Sequence, residues 1–155
     1  MKKQSHTRSG GAGEDLMLGG QLCFALYSTL LGVNKVYRKI LEDLDITYPQ
    51  YLVMLVLWEH DRVNVSEICE RLYLETPTLT PLLKRLELRG LIRRVRSTDD
   101  ERQVIVSLTK EGQALKQKAF GIPDCVGEAM GLSHHEISDL RRKLGAIRNN
   151  LFNTP

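Results

Sequence analysis

Hydrophobic positions recur along this chain with a helical period almost throughout, broken once by a strand-like alternation. Over residues 15–44, Leu22, Leu26, Leu30, Val33, Val36, Ile40 and Leu44 keep a helical spacing, and Phe24, Leu31 and Leu41 add a second apolar stripe. The pattern predicts one long helix, apolar on two sides. Such a helix needs two partners, and in a chain of 155 residues one of them is plausibly another protomer. Thr47 and Gln50 form a capping box with Pro49 in the first turn. The core helix that follows carries Tyr51, Leu52, Met54, Leu55, Leu57 and Trp58 and is expected to end near His60-Asp61. A third helix opens at Asn64, with Glu67 in the box position, and runs through Ile68, Cys69 and Leu72. A fourth starts at Thr76, read as its N-cap, with Pro77 at the first helical position. Leu79, Leu82, Leu83 and Leu86 bury one face, and Gly90 sits where a left-handed cap belongs. Pro81 should distort the first turns, because it removes the bond to the carbonyl of Pro77.

The period then changes. Leu91, Ile92 and Val95 form one arm, Val104, Val106 and Leu108 alternate along another, and a polar tip from Ser97 to Gln103 joins them. This predicts a two-stranded hairpin. Thr109 caps a further helix carrying Ala114, Leu115 and Ala119, and residues 121–124, with Pro123, interrupt it. The chain resumes from Cys125 to Met130. Ser133 and Glu136 form another capping box and start a last helix. Its positions Ile137, Leu140, Leu144, Ile147 and Leu151 make a narrow seam suited to packing on another chain. The expected fold is mainly α with a small β-hairpin wing: a winged helix-turn-helix with N- and C-terminal dimerisation helices. Residues 1–14, polar and Gly-rich with Lys2, Lys3 and Arg8, read as a flexible tail; 15–46 and 110–155 as the dimerisation region; 47–109 as the DNA-binding lobe.

Charge sharpens this picture through its distribution rather than its total. The net charge is only +3, yet six basic residues and one acid, Glu87, fall between Lys84 and Arg96. A basic run alone is more often a solvated face. The helix-turn-helix-hairpin order is what turns it toward nucleic acid, with the helix in a major groove and the wing on the backbone or minor groove. Thr76, Thr78, Lys84 and Arg85 are then expected to face DNA, Arg94 and Arg96 to contact its backbone, and Arg102 to enter the minor groove with Asp100 orienting it. No apolar run reaches membrane-span length and the N-terminus lacks a signal-peptide core, so a cytoplasmic location is expected. Three scattered cysteines make no disulfide scaffold. No C-x-x-C or His cluster suggests zinc, His134-His135 being an isolated pair, and no metal or cofactor is expected.

The run TLTPLLKRLELRGLIRRVRSTDDERQVIVSLTKEG, with Asp100 and Arg102 in the wing and a closing Leu108-Thr109, resembles the DNA-binding core of the MarR family. The resemblance implies a homodimeric winged-helix regulator. Each cysteine has a bland reading as a small core hydrophobe, strongest for Cys69. Around Cys23 the pattern is richer, since Tyr27, Tyr37 and Tyr48 follow it. Tyr37 comes fourteen residues later, on roughly the same helical face but about 21 Å away along the axis. The two could therefore meet only between antiparallel helices of two protomers, where a phenol could stabilise a thiolate, the reactive form of the thiol. Cys125, just after a Pro-interrupted stretch, reads as a thiol able to move toward a sulfenic acid.

QLCFALY, followed by Tyr37 and Tyr48, resembles the organic hydroperoxide-sensing (OhrR) subfamily. That resemblance implies that Cys23 is the peroxide-reactive thiol and that Tyr37 and Tyr48, with Tyr27 nearby, hydrogen-bond it across the dimer. It also implies that Cys125 matches in position the second cysteine of the two-cysteine class, which bridges to the first between protomers. The implied activity is that of a repressor of a double-stranded operator, released when an organic hydroperoxide oxidises Cys23. Three other readings stand beside it: a repressor sensing a small aromatic ligand, with Cys23 incidental; a thiol peroxidase; and an architectural DNA-binding protein. The peroxidase is disfavoured because no basic residue lies within a helical turn of Cys23.

Overall fold

A computed structural model describes residues 16–154. The tail with Lys2, Lys3 and Arg8 lies outside the described residues. The chain divides into two compact units, one up to Lys35 and one from Val36 onward. The first contains a 3-10 turn, Leu18–Gly20, and most of helix α1, Leu22–Ile40. The helix expected from residue 15 starts late because Gly19 and Gly20 cost more backbone entropy in a helix than any other pair would. No residue of α1 is buried, and Leu22, Tyr27, Leu30 and Leu31 stand exposed along it.

The helix also ends earlier than expected. Residues Glu42–Leu44 form a 3-10 turn closed by Asp45 in a left-handed conformation (φ 50°). Arg89 holds this turn from below: its guanidinium donates to the carbonyls of Leu44 and Asp45 and pairs with the Asp45 carboxylate at 2.7 Å.

In the second unit, α2 (Tyr48–Glu59) begins at the expected capping box. Gln50 N donates to Thr47 Oγ1, and Thr47 N donates to Gln50 Oε1 at 2.8 Å. Val53, Met54 and Leu57 are essentially inaccessible, so α2 is the central strut of the core. Asn64 caps α3 (Val65–Leu72) by accepting from Glu67 N at 2.7 Å. Helix α4 spans Thr76–Leu88, but its N-cap is Glu75, which makes no side-chain cap. Thr76 is therefore the first helical residue rather than the cap, and Pro77 the second. Pro81 is accommodated inside a helix that runs on unbroken, and Thr80 Oγ1 donates to Thr76 O at 2.9 Å. Leu79, Leu83 and Leu86 are buried as the spacing required. At the other end Gly90 takes φ 71°; its amide donates to Glu87 O and that of Leu91 to Leu86 O, the paired bonds of a left-handed C-terminal cap.

The wing is a three-stranded antiparallel sheet, not two-stranded. Its order is β1 (Val63–Asn64), β3 (Val104–Leu108), β2 (Ile92–Arg96), with Val63 opposite Val106 and Val95 opposite Ile105. The added strand is only two residues long and doubles as the cap of α3, so it leaves no alternation in the sequence. Thr109 caps α5 (Lys110–Ala119) through Gly112 N. Helix α6 (Ile122–Met130) follows almost at once, and α7 (His134–Phe152) starts at the Ser133/Glu136 capping box. Among the described residues no helix is long and apolar enough to cross a membrane.

Candidate nucleic-acid interface and thiol sites

The buried leucine face of α4 turns its other face outward. Thr76, Thr78, Lys84 and Arg85 are all exposed there. Thr76 Oγ1 also lies 3.9 Å from Cys69 Sγ, which ties the start of α4 to α3. Cys69 is half-buried against the core, in keeping with its bland reading.

The wing tip is closed by Ser97 N donating to Gln103 O at 2.8 Å, and Ser97 Oγ accepts from the amides of Asp99 and Asp100. Asp100 meets Arg102 at its backbone: Asp100 Oδ1 accepts from Arg102 N at 3.0 Å, and Arg102 is exposed. Arg96 is exposed as well. Arg94 departs from the expected free cation. Its Nε and Nη2 donate to Glu87 Oε2 at 2.9 and 2.7 Å, and its backbone amide donates to Oε1 at 3.0 Å. These bonds hold the Glu87 carboxyl below the usual carboxylate range.

Sequence reasoning passed over two cations at the base of the wing. Arg62 and Arg93, both exposed, line a polar cleft of about 460 Å³ with Asp61, Ser107 and Lys110. Strand alternation was the available signal for Arg93: with Ile92 buried, Arg93 must face opposite to Ile92 and Arg94.

Three thiols are free: Cys23 and Cys125 exposed, Cys69 half-buried. Cys23 is the second residue of α1. Cys125 is not in an unheld stretch, as its sequence suggested, but in the first turn of α6, its amide donating to Gly121 O at 3.2 Å. Pro123 starts this helix instead of interrupting one, because a first-turn residue has no intrahelical use for its amide.

Tyr37 and Tyr48 come together, their rings stacked with centroids 4.0 Å apart, and Tyr51 and Trp58 extend the cluster. Burial, the neighbouring Tyr48 and Tyr51, and a hydrogen bond shared with Tyr48 push the Tyr37 phenol up to about 12. Burial also raises Tyr48, against the lowering effect of that shared bond. Both are therefore neutral hydroxyls at physiological pH. Tyr27 is exposed on α1.

A family model described as the transcriptional regulator SarA/Rot matches residues 35–119. The organic hydroperoxide resistance transcriptional regulator of Bacillus subtilis is 47% identical over 134 residues, covering 86% of this chain and 89% of that protein. This chain belongs to the MarR family of winged-helix transcriptional regulators. Among solved structures, reduced AbfR bound to DNA, a protein of Staphylococcus epidermidis, superposes with a TM-score of 0.74 at 35% identity, covering 91% of this chain and 99% of that one. Disulfide-formed AbfR superposes less well, with a TM-score of 0.60 at 34% identity over 90% of this chain and 92% of that one. These MarR-type relatives are regulators and not enzymes, which sets the peroxidase reading aside.

Proposed function

We propose that this MarR-family regulator is a homodimeric repressor that senses organic hydroperoxides through Cys23. The observation that carries the reading is the 47% identity with a hydroperoxide resistance regulator in a chain that presents Cys23 as an exposed free thiol. The exposed apolar faces of α1 and α7 would form the dimer interface, in the cytoplasm. Each protomer would lay α4 in a major groove of a double-stranded operator. Thr76, Thr78, Lys84 and Arg85 supply contacts there, with Arg96 on the backbone and Arg102 in the minor groove.

Oxidation proceeds in two balanced steps. The Cys23 thiolate attacks the distal peroxide oxygen; the O–O bond breaks, the sulfenic acid forms, and the departing alkoxide takes up the proton the thiol had released and leaves as the alcohol. The thiol of the partner subunit's Cys125 then displaces water from that sulfenic acid and closes a disulfide. The neutral hydroxyls of Tyr37 and Tyr48, with Tyr27 alongside, would donate to the thiolate across the dimer. A disulfide needs its α-carbons about 5.5–6 Å apart, so its closure would fix the start of α6 against the partner's α1 and couple oxidation to the dimer's arrangement. The poorer superposition on disulfide-formed AbfR than on its reduced, DNA-bound form supports reading this conformation as one without the intersubunit disulfide.

The test is direct. Reduced protein receives one equivalent of an organic hydroperoxide and is run on a non-reducing denaturing gel beside Cys23→Ser and Cys125→Ser. A covalent dimer in wild type alone, reversed by dithiothreitol, is expected. A monomer whose Cys23 gains oxygen or a small thiol by mass would leave Cys23 as sensor and remove Cys125 from the mechanism. An unmodified Cys23 would sink the redox reading in favour of a ligand-sensing repressor.

A further inference from the structure

Glu87 is the one acid between Lys84 and Arg96, on the helix that exposes Thr76, Thr78, Lys84 and Arg85. A carboxylate beside a DNA-facing surface repels phosphate, so its presence calls for a compensating role. Its geometry supplies one. Both carboxylate oxygens are engaged by a single residue of β2: Oε2 accepts from Arg94 Nε and Nη2, and Oε1 from the Arg94 amide. The guanidinium fork and the backbone are held at once, which restrains orientation as well as distance. Arg94 lies opposite Val106, a fully buried residue of the central strand, so what holds Arg94 holds the sheet. The Gly90 turn joins the two partners in the chain, and Leu91 and Ile92 after it are buried in the core, so the pair acts on the exposed side of the joint, where the core packing does not reach.

We propose that the Glu87–Arg94 pair is a strut that sets the angle between the recognition helix and the wing, making Arg94 a positioning residue rather than a DNA contact. The proposal rests on the reading that α4 and the wing face DNA together.

Simple electrostatics and the strut predict opposite signs for one variant. If Arg94 were a DNA contact restrained by Glu87, Glu87→Gln would remove a repelling charge, free a cation and tighten binding. If the pair is a strut, the same variant misaims the wing and weakens binding although the protein becomes more positive. The probe is a duplex selected from a random pool by the reduced wild-type protein, with affinity measured by fluorescence anisotropy and contacts by hydroxyl-radical footprinting. Glu87→Gln is expected to bind about tenfold more weakly, the scale of one lost charged hydrogen bond. Protection beside the wing should fade while that over the major-groove helix persists. The charge swap Glu87→Arg with Arg94→Glu should recover most of both. Binding as tight as wild type, a uniform loss with wing protection intact, or a swap no better than the single variants would overturn the strut. Wild type giving no protection beside the wing would instead fail the DNA-facing reading on which the strut depends.

Discussion

Tyr37 and Tyr48 show how far a single residue's role depends on its neighbour. Each phenol by its place in the sequence is an interface residue in search of a partner; stacked and half-buried together, they stay protonated. The consequence for pH can be signed. The folded state holds the Tyr37 proton up to about 12, against 10.0 for a free phenol. The stability this contributes is fully present below about pH 10 and is lost as pH rises toward 12, because the unfolded chain ionises first. Thermal unfolding of wild type should therefore fall more steeply between about pH 9.5 and 11.5 than that of Tyr37→Phe. Parallel curves would show that burial beside Tyr48 and Tyr51 does not hold the Tyr37 proton. Arg94 makes the converse point. Its identity as a cation was legible, but its partner was not, because Glu87 is brought to it by a turn and not by helical spacing.

At the scale of elements, the α5 N-terminus is the tightest joint described. A Cβ on Gly112 would stand 2.0 Å from Leu91 O, an atom already fixed by accepting from Thr109 N. Trp58 Nε1 donates to Gly112 O at 2.9 Å, and Gly112 N is held by the Thr109 cap. Neither side can yield, so Gly112→Ala should cost about 3 kcal/mol, the upper range for overpacking, read from the urea unfolding midpoint. A loss below about 0.5 kcal/mol would mean that the joint relaxes. Capping boxes and the leucine stripe of α4 were legible beforehand since their partners lie three or four residues apart. The late start of α1, the third strand and the helical setting of Cys125 were not. They depend on a Gly pair, on a two-residue strand and on a proline whose effect reverses between the middle and the start of a helix.

For the whole molecule, the telling feature is apolar surface with no cover. Leu140, Leu144, Ile147 and Leu151 run along α7 at 45%, 37%, 36% and 67% exposure, the seam that the sequence pattern assigned to another chain. The dimer reading predicts that Leu144→Glu with Ile147→Glu, measured by sedimentation equilibrium, shifts the reduced protein toward monomer. DNA affinity should fall with it, because one lobe then binds without the other. A wild-type chain that sediments as a monomer would remove the dimer, and with it any disulfide between protomers. The end of the same helix is tied within the chain: the Tyr73 ring lies against Phe152 at 4.8 Å and under Arg148 at 4.5 Å, joining α7 to the turn before α4.

What this chain's sequence determined by itself lay at short range: the order of most helices, the capping boxes, the hairpin and the family likeness. A helical face or a cap is complete within about four residues, so its physics is written in consecutive letters. The tertiary structure decided the rest, where partners lie far apart in the chain. Arg89 reaches back over more than forty residues to the turn that follows the first helix, and Trp58 reaches over fifty to lock Gly112. Those contacts follow from the path of the folded chain through space, and no period or motif in the sequence encodes them.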